Sequence, residues 1–188
     1  MSKQYILFLG DSLTYGYLVS SNHSFPSLIE KELRKKHLID EKTKIINAGN
    51  PGDTTEMALY RLEYILKNYR NIYLTIVFLG ANDYLLGESS EEIYMNFKKI
   101  IESLKSYNPE MKIILIEFLP FDDIRLREFR NIYEKLKTEY PEIIFVPDVM
   151  GNIIKNPELV LDDGIHPNEK GYKIIAEKIY PYVENVLK

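Results

Sequence analysis

Apolar residues along this chain arrive in two rhythms. In the first they stand side by side: residues 5–9, 44–47, 72–79, 112–119 and 143–147 are short runs rich in Ile, Leu, Val and aromatics. Runs of that length and composition predict strands, with 5–9 buried and 72–79 central in the sheet. In the second rhythm apolar positions recur every three or four residues among charges, over 25–38, 53–68, 89–107, 123–139 and 167–188. That spacing predicts helices with one covered face. The end signals agree. Ser24 is a helix cap with Pro26 in the first turn, and Asp53-Thr54-Thr55-Glu56 and Ser89-Ser90-Glu91-Glu92 have the form of capping boxes. Asn108-Pro109 stops one helix and Pro167 opens the last.

Strand–helix alternation of this kind predicts an α/β fold with a five-stranded parallel sheet. Right-handed crossovers leave few topologies. The expectation is a three-layer α/β/α sandwich with flavodoxin-like strand order. No repeat, low-complexity stretch or Pro/Gly-rich linker interrupts residues 1–188, which predicts a single domain.

Ligands of open parallel sheets bind beyond the carboxyl ends of the strands. Three polar clusters follow predicted strands and so share that rim: Gly10-Asp11-Ser12-Leu13, residues 47–53 (Asn-Ala-Gly-Asn-Pro-Gly-Asp), and Gly80-Ala81-Asn82-Asp83. A fourth, Asp163-Gly164-Ile165-His166-Pro167-Asn168, lies before the last helix and can close onto the same rim. Each cluster alone also reads as an ordinary turn or cap. Together they supply the parts for acyl transfer. Ser12 is a nucleophile exposed above the sheet. His166 is its base, with Asp163 three residues earlier to orient the ring. The N–H groups of Ser12 and Gly52 and the Asn82 amide are candidate oxyanion donors. Asp11 and Asp83 are read as scaffolding, each holding its own loop.

Composition narrows the alternatives. With 24 Lys and Arg against 28 Asp and Glu, the net charge is −4, which disfavours a nucleic-acid partner. The absence of cysteine excludes a thiolate metal site or a cysteine nucleophile. His23 and His37 lack a carboxylate setting like that of His166, and no further ligands assemble into a metal site. No apolar stretch approaches the roughly 20 residues of a membrane span. The chain starts without a leader-like segment, so a cytoplasmic location is expected. Spacing around Ser12 is not the Gly-x-Ser-x-Gly elbow, because position 14 is threonine.

The four clusters resemble the sequence blocks of the GDSL esterases, also called SGNH hydrolases, in order and across nearly the whole chain. The thioesterase I/lysophospholipase-like subgroup is the most similar in character. The resemblance implies the three-layer fold read above and Ser12, Gly52, Asn82 and His166 as the four name-giving residues. It implies hydrolysis of a small-molecule acyl ester or thioester through an acyl-enzyme, with no metal or organic cofactor. One departure stands out: many subgroup members carry Gly after the Asn-Asp pair, where this chain has Tyr84. A ring there narrows or reshapes the acyl pocket, for which Tyr84, Leu85 and Phe121 are the candidate lining. Tyr15 and Tyr17 are further candidates to face it. The same machinery also suits a carbohydrate O-acetylesterase. A non-catalytic flavodoxin-like binding module is a third reading, disfavoured for nucleotides and flavins because Asp11 sits where phosphate charge would lie.

Overall fold

The computed structural model describes residues 4–188. Its strands are β1 (Tyr5–Gly10), β2 (Lys44–Gly49), β3 (Ile72–Phe78), β4 (Lys112–Ile116) and β5 (Ile144–Val146). All neighbours pair in parallel, in the order β2-β1-β3-β4-β5. The helices are α1 (Ser12–Tyr15), α2 (Phe25–Lys35), α3 (Thr55–Asn68), α4 (Ala81–Leu86), α5 (Ser90–Tyr107), α6 (Ile124–Glu139), α7 (Gly151–Ile154) and α8 (Glu169–Leu187). Helix α2 packs on α8, while α3, α5 and α6 pack in a row. With right-handed crossovers these two groups cover opposite faces of the sheet. The expected three-layer architecture and strand order are therefore observed.

Continuous apolar runs explain the strands, because both sheet faces are covered. Ile6, Leu7, Phe8 and Leu9 of β1 are fully buried, as are Leu74 and Val77 of β3. Each such side chain contributes about 1.5–3 kcal/mol by leaving water. The helix caps are built as the sequence suggests at Ser24 and Ser89, whose side chains accept from Ser27 N–H and Glu92 N–H. The Glu92 carboxylate also accepts from the Ser89 hydroxyl at 2.8 Å.

Three boundaries differ from expectation for identifiable reasons. The cap of α3 is Thr54, because the Asp53 carboxylate is engaged elsewhere. The last helix begins at Glu169 behind an Asn168 cap, so Pro167 precedes it and forms an isolated bridge with Val160. Strand β4 ends at Ile116, short of the predicted Leu119. Beyond it the backbone leaves the ladder: Phe118 N–H donates to Tyr133 Oη at 3.0 Å and Leu119 N–H to Asp148 Oδ1 at 2.9 Å. Among the described residues no helix is long and apolar enough to cross a membrane.

The order of the sheet reverses at β1, since the chain moves from β1 outward to β2 and then back past it to β3. At such a reversal point the general rule for parallel sheets places ligands beyond the carboxyl ends of the strands. Ser12 and Asn82 follow the carboxyl ends of β1 and β3.

Candidate active site

Ser12 opens the four-residue helix α1 directly after β1. Asp11 caps that helix, its Oδ1 accepting Leu13 N–H at 2.9 Å. The far end is closed by Gly16 N–H on Ser12 O and by Asn47 Nδ2 on Thr14 O, at 3.1 and 3.0 Å. Gly49 at the end of β2 admits this helix closely: a Cβ there would lie 2.2 Å from Tyr15 N. Asp11 is buried, and its Oδ2 has no hydrogen-bond partner among the described residues. Burial pushes its carboxyl up to about 7 despite the opposing Leu13 N–H, with Asp83 and Asp53 adding repulsion.

His166 reaches this serine from residues far along the chain. Its Nε2 lies 2.9 Å from Ser12 Oγ, and its Nδ1 lies 2.5 Å from Asp163 Oδ2. The His166 segment folds on itself. Asp163 Oδ1 accepts the N–H groups of Ile165 and His166, both at 2.9 Å, and Leu161 N–H donates to His166 O at 2.8 Å. Partial burial disfavours the Asp163 carboxylate, but the Ile165 N–H and the His166 ring and N–H outweigh it. The carboxyl is held below its ordinary value, so it remains ionised. Asn168 ties the segment to its neighbours by donating to Glu158 O at 2.8 Å while capping α8. The Tyr17 ring rests on the His166 imidazole with centroids 4.7 Å apart.

The second polar cluster forms a turn, closed by Asp53 N–H on Asn50 O at 3.1 Å. Pro51 and Gly52 occupy its central positions, and Gly52 has φ +88°, the geometry of a type II turn. Asn82, in the first turn of α4, donates from Nδ2 to Asp53 O at 2.9 Å. The turn bearing Gly52 and the helix bearing Asn82 are thus one hydrogen-bonded unit. Asp83 does not hold its own loop as expected. Its buried carboxylate accepts Thr55 N–H at 3.0 Å and the Thr55 hydroxyl at 2.6 Å, joining α4 to the start of α3.

Tyr84 is pinned on the same side. Its hydroxyl donates to Asp123 at 2.5 Å, its ring contacts Phe121 and Phe129, and Arg125 sits over its face. The hydrogen bond raises the Tyr84 phenol and lowers the Asp123 carboxyl. Leu85 and Leu86 beside it are exposed, as is Phe121. Tyr15 is also exposed, whereas Tyr17 faces His166. His23 instead bonds Ser20 and faces Glu169. A groove of about 600 Å³ between α2 and α8, lined by Leu28, Ile29, Ala176 and Tyr180, contains none of the cluster residues. Sequence reasoning missed the links of Arg61 to Ala48 O, of Asp123 to Tyr84 and of Arg125 to Tyr84 O, which join residues far apart in the chain.

Ser12, His166 and Asp163 therefore stand in hydrogen-bonded sequence, and Gly52 and Asn82 share a frame through Asp53. Residues 8–174 match the family model described as GDSL-like Lipase/Acylhydrolase. The chain is 32% identical over 173 residues to thioesterase 1/protease 1/lysophospholipase L1 of Escherichia coli K12, covering 92% of this chain and 79% of that protein. It is 32% identical over 177 residues to an arylesterase of Vibrio mimicus, covering 94% and 86%. Among solved structures it is similar to AlinE4, an SGNH-hydrolase family esterase, with 32% identity, TM-score 0.76, and coverage of 100% and 98%. The chain belongs to the GDSL-like lipase/acylhydrolase family and is a hydrolase of ester bonds.

Proposed function

We propose that this protein is a serine esterase and thioesterase that works through an acyl-enzyme on Ser12. The observation that carries the reading is the chain of contacts from Ser12 Oγ to His166 Nε2 at 2.9 Å and from His166 Nδ1 to Asp163 Oδ2 at 2.5 Å. His166 removes the Ser12 proton as Oγ attacks the carbonyl carbon. Asp163, held ionised, orients the ring and stabilises the imidazolium. The oxyanion takes hydrogen bonds from Ser12 N–H at the start of α1, Gly52 N–H and the Asn82 amide. His166 then protonates the departing alcohol or thiol, and water releases the acid by the same route. The names of the Escherichia coli and Vibrio mimicus relatives support acyl-ester and acyl-thioester substrates.

Leu85, Phe121 and the pinned Tyr84 line the acyl side in this reading. The fixed Tyr84 ring favours a short acyl group and gives the carbohydrate O-acetylesterase reading its support. A fluorophosphonate should label the wild type at Ser12 and leave Ser12→Ala unlabelled. Labelling of the variant, or none of the wild type, would reject the mechanism. Acyl esters and thioesters graded by chain length separate the two readings: turnover confined to acetates selects the sugar-acetate one.

A further inference from the structure

Arg61 lies in the middle of α3 and, with its side chain 31% exposed, reaches back to the ends of β1 and β2. Its Nε donates to Asp53 Oδ2 at 2.6 Å. One terminal nitrogen donates to Ala48 O at 2.9 Å, near the end of β2, and approaches Gly10 O at 3.3 Å, at the end of β1. A carbonyl has two lone pairs, and Gly10 O takes Asn50 N–H at 3.0 Å in addition to the arginine. A planar guanidinium can serve several carbonyls and a carboxylate at once, which an ammonium cannot.

Asp53 is the node this cation holds. Its side chain is 5% exposed, and its second oxygen accepts Asn50 Nδ2 at 2.7 Å. Its N–H closes the turn around Gly52, and its carbonyl receives Asn82 Nδ2. Arg61 therefore ties the strand ends beneath Ser12, the turn of Gly52 and the amide of Asn82 into one frame. Asp11 and Asp83, which face the same interior, carry the same sign as Asp53. Without the guanidinium, Asp53 would be a buried carboxylate without its countercharge, and it would turn toward water.

From this we infer that Arg61 is a positioning residue that sets the oxyanion donors Gly52 and Asn82 relative to Ser12, acting through Asp53. The inference rests on the serine-esterase reading above. A misplacement of about 1 Å at such donors costs on the order of 10²-fold in rate.

The test is Arg61→Met in the full chain, with active sites counted by fluorophosphonate titration so that misfolded protein is excluded. Turnover of p-nitrophenyl acetate per labelled site should fall about 10- to 100-fold. KM should change by less than about threefold, because donors aimed at the oxyanion act in the transition state. Added guanidinium ion should restore part of the loss. The decisive readout is the double variant with Asn82→Ala. If Arg61 acts through these donors, its removal should cost much less once the Asn82 amide is gone. A purely structural arginine would give multiplicative losses, and that result, or unchanged turnover per site, overturns the inference. Should Arg61→Met not fold, Arg61→Lys takes its place. It keeps the charge beside Asp53 but not the fork, so a smaller loss with the same non-additivity is required. Failure of the wild type to label would sink the serine mechanism itself, a separate result from either outcome for Arg61.

Discussion

The two sides of the Ser12–His166 contact are built differently. Ser12 stands on a short helix pressed onto the ends of β1 and β2, capped by an aspartate with 1% exposure. His166 and Asp163 stand on a surface segment, with side chains 22% and 39% exposed, held mainly by that segment's own backbone bonds. The Ser12 side draws its geometry from the core. The His166 side draws its geometry from a small loop with its own backbone bonds. Side chains that shape the chemistry on the exposed side should therefore be removable without unfolding the protein. Those on the buried side should register first in stability.

Asp163→Asn gives the largest expected effect. It keeps the shape of the loop but removes the charge that holds His166 in the required tautomer. The kcat for an acyl ester should fall by about 10⁴-fold. The melting temperature should move by no more than about 3 °C, because the carboxylate is exposed. A large drop in melting temperature with modest loss of kcat would invert the contrast.

Asp11→Asn probes the buried side. A carboxyl raised from 3.8 to about 7 in the folded chain binds its proton more tightly folded than unfolded. It stabilises the fold below about pH 4, and that contribution drains away as pH rises through about 7. The asparagine variant lacks this dependence. Its stability relative to wild type should grow between pH 4 and 7, by up to about 4 kcal/mol, because each tenfold difference in proton affinity is worth about 1.4 kcal/mol. Denaturant unfolding at both pH values measures it, and parallel profiles would show that Asp11 does not titrate in this window.

The smallest expected effect joins the two sides. Tyr17 belongs to the Ser12 loop, its N–H donating to Ser12 O, yet its ring lies on His166. Tyr17→Leu should lower kcat/KM by about 3- to 10-fold, the worth of one ring contact, and Tyr17→Phe should not. Equal losses in both variants would point to the hydroxyl instead of the ring.

What the sequence made legible follows the same division by range. The strands could be read because a sheet covered on both faces needs unbroken apolar runs, as 5–9 and 72–79 show. The polar clusters could be read because each is contiguous and follows a strand or precedes a helix. Helices α1 and α4 escaped because four and six residues are too few to display a period. The end of β4 escaped because Glu117 and Phe118 are buried without being in a strand, their neighbourhood completed by Tyr133 and Asp148. Arg61 escaped because its acceptors are backbone carbonyls and a carboxylate brought near only by the fold. Local pattern reveals which residues are present at the rim, and tertiary hydrogen bonding decides how they are held.

Gly52 carries a last consequence. Its backbone is left-handed at φ +88°, yet a Cβ added there would meet nothing within 4 Å. The site demands a particular handedness and leaves room to spare. Among encoded residues only an achiral one satisfies that cheaply. A mirror-image alanine introduced by chemical synthesis would fit the same turn and stiffen it, whereas its natural enantiomer would strain it in open space.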